Sequence, residues 1–387
     1  MKKLCLVVAA VLIITGMLPF RRNTVFCAEE PEISAKAAVL ISADTGEIIY
    51  ERSSSQKLPM ASTTKIMTVL LCLESGDLYE EFVVDSDAIK VEGSSMGLRE
   101  GDIVTKYALC CGMLLPSGND AANAAAVRIA GSIDAFADMM NDRAREMGLS
   151  RTFFVTPSGL EGEGHGSSAY DMAILAREAL RNETFREICS QTTIQLEFGN
   201  PPYKRWLKNT NKLLTMCSGV YGVKTGFTDE AGRCLVSACE RDGMELICVT
   251  LNDRNDWEDH SRLYDYGFDC VKKTEVSLPE TFELDLAGAA KDNLIVAPGE
   301  LPFTVTSPGY EPGDIEIRVI APPFVYAPVS RGEEAAQLEI SFRGREITKL
   351  PLYAQEDAEV KKKASTKKKQ SKNRLKKFIS KVGGFFS

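Results

Sequence analysis

Two different hydrophobic periods divide residues 29–273. Short β-rich runs at Ala37–Ile41 and Glu47–Arg52 flank Asp44-Thr45-Gly46, which predicts a hairpin. Apolar residues at helical spacing then dominate up to about Cys189. The predicted helices lie at Ile66–Leu73, Ile103–Leu115, Ala121–Ala130 and Ile133–Met147. Strand patterns return at Thr192–Phe198, Tyr221–Thr228, Arg233–Cys239 and Met244–Leu251, before a last predicted helix at Trp257–Phe268. Strands at both ends with helices between them predict an α/β (α+β) sandwich built on an antiparallel sheet.

The pattern changes after about Lys273. Short β-rich runs alternate with Pro-Gly turns, as at Phe282–Leu286 and Ile315–Ile320. We therefore predict a small all-β domain at residues 274–354. It contains no group of residues suited to catalysis.

The N-terminus has the layout of a secretory signal peptide. Lys2-Lys3 precede an apolar run of 17 residues, Leu4–Phe20, and small residues follow at Cys27-Ala28. We predict that residues 1–28 are removed, with an uncleaved membrane anchor as the alternative. In either case residues 29–273, predicted as the catalytic domain, work outside the cytoplasm.

A basic C-terminal tail contrasts with an acidic body. The chain carries a net charge of −8, yet residues 361–387 hold eleven Lys and Arg and no acidic residue. Residues 355–372 read as a basic linker, and 373–387 as an amphipathic helix with Leu375, Phe378 and Ile379 on one face. We predict that this helix binds an anionic membrane surface; a merely soluble charged tail is the alternative.

Composition excludes several classes of function. A body this acidic is a poor nucleic-acid binder. The chain has only two histidines, His165 and His260, so a His-rich metal site is not expected. The nine cysteines after residue 28 are odd in number and lack a Cys-x-x-Cys pair, which favours small buried apolar residues over a disulfide scaffold or zinc ribbon. Of the histidines, His165 is expected to be structural, and His260 to lie on a helix surface.

Two short motifs could supply a nucleophile. Residues Gly93–Gly97 fit Gly-x-Ser-x-Gly, but a nucleophile elbow needs a strand before it and a helix directly after it, and a turn-like segment follows here. Ser-x-x-Lys occurs three times, and only Ser62…Lys65 opens an apolar helical run. Positions i and i+3 of a helix share a face, so the Lys65 amine can reach the Ser62 hydroxyl. Desolvation, a cationic neighbour and the helix N-terminus would lower the pKa of Lys65, so that the amine acts as a base without histidine.

Two triplets can complete such a site. Ser117-Gly118-Asn119 is expected in a loop between two helices, and Lys224-Thr225-Gly226 ends a strand segment. A strand-borne lysine and threonine can hold a substrate carboxylate, and glycine lets a substrate backbone approach closely. Each triplet alone is commonplace. The order Ser-x-x-Lys, Ser-x-Asn, Lys-Thr-Gly on these elements is highly specific.

With these motifs the chain resembles the low-molecular-mass penicillin-binding proteins, the serine-type D-alanyl-D-alanine carboxypeptidases. The resemblance runs from about Ala35 to the end and includes the stretch Leu58–Thr68 and the Ser168–Ala173 stretch. It implies an enzyme that removes the terminal D-alanine from peptidoglycan stem peptides, is acylated by β-lactams and requires no cofactor or metal.

The resemblance also implies a role for each motif residue. Ser62 would form the acyl-enzyme, and Lys65 would be its general base. Ser117 and Lys224 would relay a proton to the departing amine. The substrate-binding residues would be Asn119, Lys224, Thr225, Gly226 and Phe227. Of these, Lys224 and Thr225 would bind the terminal carboxylate, and the backbone N–H groups of Ser62 and Phe227 would form the oxyanion hole.

Two departures from the family pattern remain. Some members carry an arginine in the Asn-x-Asn segment before Lys-Thr-Gly, where this chain has Asn209-Thr210-Asn211. There is also no Glu-x-x-Leu-Asn segment of the kind that deacylates β-lactamases, which argues against β-lactamase as the main activity. The alternatives left open are a β-lactamase or esterase on the same scaffold and a non-catalytic cell-wall binding protein.

Overall fold

The computed structural model describes residues 29–299 and 302–361. The first of two compact units holds the described residues up to Ser277, together with Pro302–Glu316 and Ser341–Ile347. The second holds most of the remaining residues of the C-terminal part, including Ile317–Ile340. The predicted signal peptide and amphipathic helix lie outside the described residues. The domain ranges drawn from the sequence stay a prediction.

The secondary structure of the described residues comprises both classes of element. The helices are α1 (Lys65–Glu74), α2 (Lys106–Leu114), α3 (Asn119–Ala130), α4 (Ile133–Glu146), α5 (Ala169–Leu180), α6 (Glu183–Ser190), α7 (Leu213–Met216) and α8 (Asp256–Cys270). The strands are β1 (Ala37–Ser42), β2 (Ile48–Arg52), β3 (Glu81–Val83), β4 (Ile103–Thr105), β5 (Thr193–Gly199), β6 (Pro202–Lys208), β7 (Val220–Thr228), β8 (Gly232–Arg241), β9 (Met244–Leu251), β10 (Lys272–Val276), β11 (Phe282–Ala287), β12 (Asn293–Pro298), β13 (Phe303–Ser307), β14 (Ile315–Ile320), β15 (Val325–Tyr326), β16 (Glu334–Phe342) and β17 (Arg345–Ala354).

The first unit is built on a five-stranded antiparallel sheet in the order β2-β1-β9-β8-β7. Every residue of β1 is buried, because apolar layers cover both faces of the sheet. Val39 and Ile41 pack with the block of helices that includes α1 to α6. Ala38 and Leu40 pack against α8 on the other face. The α/β architecture on an antiparallel sheet, predicted from the sequence, is confirmed, and it leaves β7 at a sheet edge beside the turn Ala61–Thr64 that leads into α1.

The predicted helix Ile103–Leu115 is wrong over its first turn. Ile103–Thr105 forms β4, which pairs with β3, and the helix begins only at Lys106. Thr105 is the reason, since its side-chain oxygen accepts a hydrogen bond from the backbone N–H of Ala108 and so caps the helix. Sequence inspection also missed β6, which starts at a proline and pairs with β5.

His260 is fully buried, which corrects the expectation that it lies on a helix surface. Its ring nitrogens contact the hydroxyls of Ser237 on β8, at 2.7 Å, and Thr250 on β9, at 3.0 Å. The apolar side of α8 faces the sheet, and His260 lies on that side with Tyr264. Burial lowers the pKa of His260 to about 3, so the ring is neutral.

The second unit is dominated by β-structure, as predicted for this part of the chain. Most of its strand residues belong to a six-stranded sheet in the order β14-β16-β17-β12-β11-β15. β12 pairs antiparallel with β11 and β17, whereas β15 runs parallel to β11. Buried apolar residues of this unit include Leu284, Leu294, Val296, Leu338, Ile340 and Leu352.

Eight of the nine cysteines after residue 28 are buried free thiols, as expected for small apolar residues: Cys72, Cys110, Cys111, Cys189, Cys217, Cys234, Cys239 and Cys248. The ninth, Cys270, is buried but disulfide-bonded, so the expectation was wrong for this residue. Over residues 29–299 and 302–361, no helix has the length and apolar character needed to cross a membrane. The same residues hold no group of His, Cys, Asp and Glu that could bind a metal ion.

Candidate active site

Ser62 lies in a single 3-10 turn, Ala61–Thr64, that leads directly into α1. The Lys65 Nζ donates a hydrogen bond to the Ser62 Oγ at 2.9 Å, which is the geometry the sequence predicted for this pair. Ala61 has a φ of +48°, a left-handed conformation that costs an alanine free energy. The backbone is therefore strained directly before the serine that the motif singles out.

Lys65 is fully buried, and its amine has three hydrogen-bond acceptors. Besides Ser62, these are the Asn119 Oδ1 at 2.7 Å and the backbone carbonyl of Ser158 at 2.6 Å. Burial lowers the pKa of Lys65 well below its ordinary value, and the positive charge of Lys224 lowers it further. Asp120 opposes this shift with its negative charge. A neutral Lys65 amine can accept the proton of the Ser62 hydroxyl.

The Ser117-Gly118-Asn119 triplet divides between a loop and a helix. Ser117 is in the loop, with a φ of +65°, whereas Asn119 is the first residue of α3 rather than a loop residue. Asn119 is buried, and its Nδ2 donates to the backbone carbonyl of Glu92 at 2.7 Å. That bond orients the amide so that its oxygen faces Lys65.

Lys224, Thr225 and Gly226 lie on the edge strand β7, next to the turn that carries Ser62. A Cβ added to Gly226 would lie 3.0 Å from the carbonyl oxygen of Met60 and 3.1 Å from the backbone nitrogen of Ser62. Any larger residue would push β7 and the turn apart by a few tenths of an ångström, so glycine permits this close approach. Phe227, the next residue, is 64% exposed.

The side chains of Lys224 and Thr225 differ in environment. Lys224 is buried, which lowers its pKa to about 7, and its Nζ donates to the backbone carbonyl of Thr225 at 2.7 Å. Thr225 is half-buried as a residue, and its hydroxyl lies 2.6 Å from the Thr210 hydroxyl. Thr210 occupies the Asn-x-Asn segment where some family members carry arginine. The sequence showed this departure, but not the contact with Thr225.

The Gly93–Gly97 segment is a loop and not a nucleophile elbow. The residues on both sides of Ser95 lack a regular strand or helix, and the Ser95 Oγ donates to the Asp120 carboxylate at 2.6 Å. The same carboxylate accepts hydrogen bonds from the backbone N–H groups of Met96, Gly97 and Leu98. Asp120 thus holds this loop beside Asn119, a role that sequence reasoning missed although the residue directly follows the Ser-x-Asn triplet.

A second missed contact involves the segment Ser158–Gly159. A Cβ on Gly159 would lie 2.0 Å from the carbonyl oxygen of Ala61, and its φ of +86° also favours glycine. This close approach brings the Ser158 carbonyl oxygen within hydrogen-bond distance of the Lys65 Nζ. A backbone acceptor of this kind leaves no motif. The turn-forming Pro-Ser-Gly composition was the one signal available.

His165 ties the neighbouring loop to the nucleophile turn, in keeping with a structural role. Its Nδ1 accepts from the backbone N–H of Val155 at 3.0 Å, and its Nε2 lies 2.9 Å from the Thr64 hydroxyl. Burial, with a contribution from Lys57, lowers the pKa of His165 to about 4. The ring borders a cavity of about 430 Å³ that adjoins, but does not include, Ser62.

Comparison with known proteins identifies the family. The profile of the D-alanyl-D-alanine carboxypeptidase family matches residues 24–255. The chain belongs to this family. The D-alanyl-D-alanine carboxypeptidase DacF of Bacillus subtilis is 33% identical over 333 residues, which cover 84% of this chain and 85% of DacF. DacC of Escherichia coli is 30% identical over 358 residues, covering 87% and 88% of the two chains.

Solved structures agree with this assignment to the carboxypeptidase family. The DD-transpeptidase of Streptomyces K15 superposes with a TM-score of 0.60 and 30% identity, over 62% of this chain and 99% of that chain. The carboxypeptidase DacD of Francisella tularensis covers 90% of this chain and 98% of its own, with a TM-score of 0.59 and 25% identity. The predicted serine-type D-alanyl-D-alanine carboxypeptidase activity in cell-wall metabolism, outside the cytoplasm, is confirmed.

Proposed function

We propose that Ser62 is the nucleophile of this carboxypeptidase and Lys65 its general base. The 2.9 Å contact between the Lys65 Nζ and the Ser62 Oγ, at a fully buried lysine of lowered pKa, is the observation that carries the proposal. Ser62 attacks the carbonyl before the terminal D-alanine of a stem peptide, and its proton moves to Lys65. The peptide bond then breaks, so that D-alanine leaves and the rest of the peptide stays as an ester on Ser62. Water then hydrolyses the acyl-enzyme and releases the shortened peptide.

The edge of β7 is the proposed substrate-binding strand. No strand covers its outer edge in the described residues, so its free backbone groups can pair with an extended peptide. Lys224 and Thr225 bind the terminal carboxylate at one end of that peptide. The backbone N–H groups of Ser62 and Phe227 bind the developing oxyanion, because Gly226 brings the two segments into contact.

Proton transfer to the leaving amine is assigned to Ser117 and Lys224. Burial lowers the pKa of Lys224 to about 7, so the amine exchanges a proton readily near neutral pH. Asn119 positions Lys65 through its Oδ1 and contacts the substrate amide. No step in this scheme needs a metal or an organic cofactor.

The test is release of D-alanine from a peptide ending in D-Ala-D-Ala, together with labelling by penicillin. Ser62→Ala is expected to lower kcat to below about 10⁻³ of the wild-type value and to abolish the penicillin adduct, as removal of a nucleophile does in comparable enzymes. Ser54→Ala is the matched control, because Ser54 belongs to a second Ser-x-x-Lys but bonds Glu51 instead. Unchanged activity in Ser62→Ala would overturn the proposal. Rapid penicillin turnover without D-alanine release would instead indicate the alternative β-lactamase.

We also propose export by residues 1–28 and attachment to the outer face of the cytoplasmic membrane by residues 373–387. Four Lys and Arg in that segment would each contribute about 1 kcal/mol on an anionic surface, in addition to burial of its apolar face. Deletion of residues 361–387 is expected to move the protein from the membrane fraction to the soluble fraction. Unchanged membrane association of the signal-cleaved protein would contradict the anchor.

A further inference from the structure

A tight turn at the start of β7 folds Cys217 back over the sheet. Cys217 follows α7, and the backbone N–H of Val220 donates to the Cys217 carbonyl at 3.3 Å. Gly219 has a φ of +87°, and a Cβ there would lie 2.3 Å from the carbonyl oxygen of Glu240. The turn therefore needs glycine. Val220 in turn pairs with Cys239 of β8, which brings the two cysteines together.

The two thiols meet at one carbonyl oxygen. The Cys239 Sγ lies 3.5 Å, and the Cys217 Sγ 4.0 Å, from the backbone oxygen of Ser218. The Arg241 Nη2 lies 3.6 Å from the Cys217 Sγ, so a cation faces this thiol.

These neighbours favour the thiolate of Cys217. The neighbouring thiol of Cys239, and then Ser261 and Arg241, lower the pKa of Cys217 against the opposing effect of burial. Cys217 is 9% exposed, whereas Cys239 is fully buried. The thiolate is the reactive form of cysteine, and of these two residues only Cys217 keeps a small exposed fraction.

A second thiol pair of the fold provides the contrast. Cys72 and Cys110 also interact with each other, but both are fully buried in the main core. The neighbouring Cys72 thiol and burial raise the pKa of Cys110. This pair lacks the arginine and the exposure that Cys217 has, so it is expected to stay reduced.

We propose that Cys217 and Cys239 are an oxidation site that takes a disulfide-bearing oxidant. The Cys217 thiolate attacks one sulfur of the oxidant and forms a mixed disulfide, while the other oxidant sulfur leaves as a thiol after gaining a proton. The Cys239 thiol then loses its proton to solvent and attacks the Cys217 sulfur, which expels the second oxidant thiol. Two protein thiols are oxidised to one disulfide, and one oxidant disulfide is reduced to two thiols.

The cross-link joins the segment before β7 to its neighbour β8. Val220, which pairs with Cys239, is four residues before Lys224 on β7. At about 3.3 Å per residue the cross-link lies about 13 Å from Lys224, so it does not block the site near Ser62. Closing the loop between residues 217 and 239 restricts the unfolded chain. A rise in Tm of about 5–10 °C is therefore expected on oxidation. An enzyme that acts outside the cytoplasm meets conditions in which such a bond persists.

The test equilibrates the full chain with mixtures of reduced and oxidised glutathione, followed by an acid quench, alkylation and peptide mapping by mass spectrometry. A peptide linked through Cys217 and Cys239 is expected to accumulate as the mixture becomes more oxidising, while Cys72 and Cys110 are recovered as alkylated thiols. Absence of the linked peptide at every ratio would overturn the proposal. So would Cys217 found only as its glutathione adduct.

A second measurement follows the deprotonation of Cys217. The rate of Cys217 alkylation against pH is expected to have a midpoint below the value of about 8.5 for an ordinary cysteine. Arg241→Gln is expected to raise that midpoint, and Arg241→Lys to restore part of the shift. A midpoint that is ordinary in the wild type, and unchanged in Arg241→Gln, would show that the surrounding donors do not activate the thiol.

Discussion

The approach of β7 to the nucleophile turn can be tested by Gly226→Ala. In the wild-type fold the added methyl would lie 3.0 Å from the Met60 carbonyl oxygen and 3.1 Å from the backbone nitrogens of Ser62 and Thr63, where ordinary contacts begin at 3.4 Å. All three neighbours are backbone atoms, so no side chain can rotate away. The strand and the turn must separate by a few tenths of an ångström.

The size of the effect follows from the oxyanion hole. Its donors must lie about 2.7–3.1 Å from the oxyanion, and loss of one donor costs about 10²–10³ in kcat. The displacement acts on the two segments that carry the proposed donors, Ser62 and Phe227. Complete loss of one donor would lower the acylation rate by up to about 10³-fold, and a partial displacement would lower it by about 10-fold. We therefore expect a decrease between these two values. Stability should change little, because Gly226 keeps its pairing with Cys234 on β8.

The assay measures the rate of acylation by penicillin and kcat/KM for D-alanine release, with Tm recorded for each variant. Gly313→Ala is the matched control, since a Cβ there meets nothing within 4 Å and its φ is not positive. An acylation rate in Gly226→Ala equal to that of wild type, with an unchanged Tm, would refute the assignment of the close contact to catalysis. A large fall in Tm would show that the substitution disturbs the sheet instead.

Two further predictions concern protonation. In Lys224→Met, loss of the neighbouring positive charge raises the pKa of Lys65. The acidic limb of the pH profile of acylation should therefore move to higher pH. If that limb does not move, Lys65 is not the base that titrates there. His260 is buried and neutral with a pKa of about 3, so its contribution to stability is complete above pH 6.5 and falls by about 1.4 kcal/mol per pH unit between 6.5 and 3. Urea unfolding at stepped pH should therefore show a shallower loss of stability on acidification in His260→Gln than in wild type, and identical slopes would contradict this account.

The local part of the site was accessible from the sequence. Ser62 and Lys65 are three residues apart, and any helical turn places such residues on one face, so their contact needs no knowledge of the rest of the fold. The apolar periods likewise located most helices and the strands of the central sheet. They failed where a single side chain overrides the period, as Thr105 does by capping α2 after a short strand.

The remaining features of the site were decided by tertiary structure, because they depend on which distant segments the sheet brings together. The lowered pKa of Lys65 comes first from its burial and then from the charge of Lys224, which is remote in sequence and comes near because β7 lies beside the turn that leads into α1. The Ser158 carbonyl leaves no side-chain pattern, and its position follows from the packing of Gly159 on Ala61. His260 had a polar identity that favoured the surface, yet two buried hydroxyls satisfy it in the core. The sequence by itself determined which chemical groups are present and their local geometry, while the fold determined their distances, burial and charge environment.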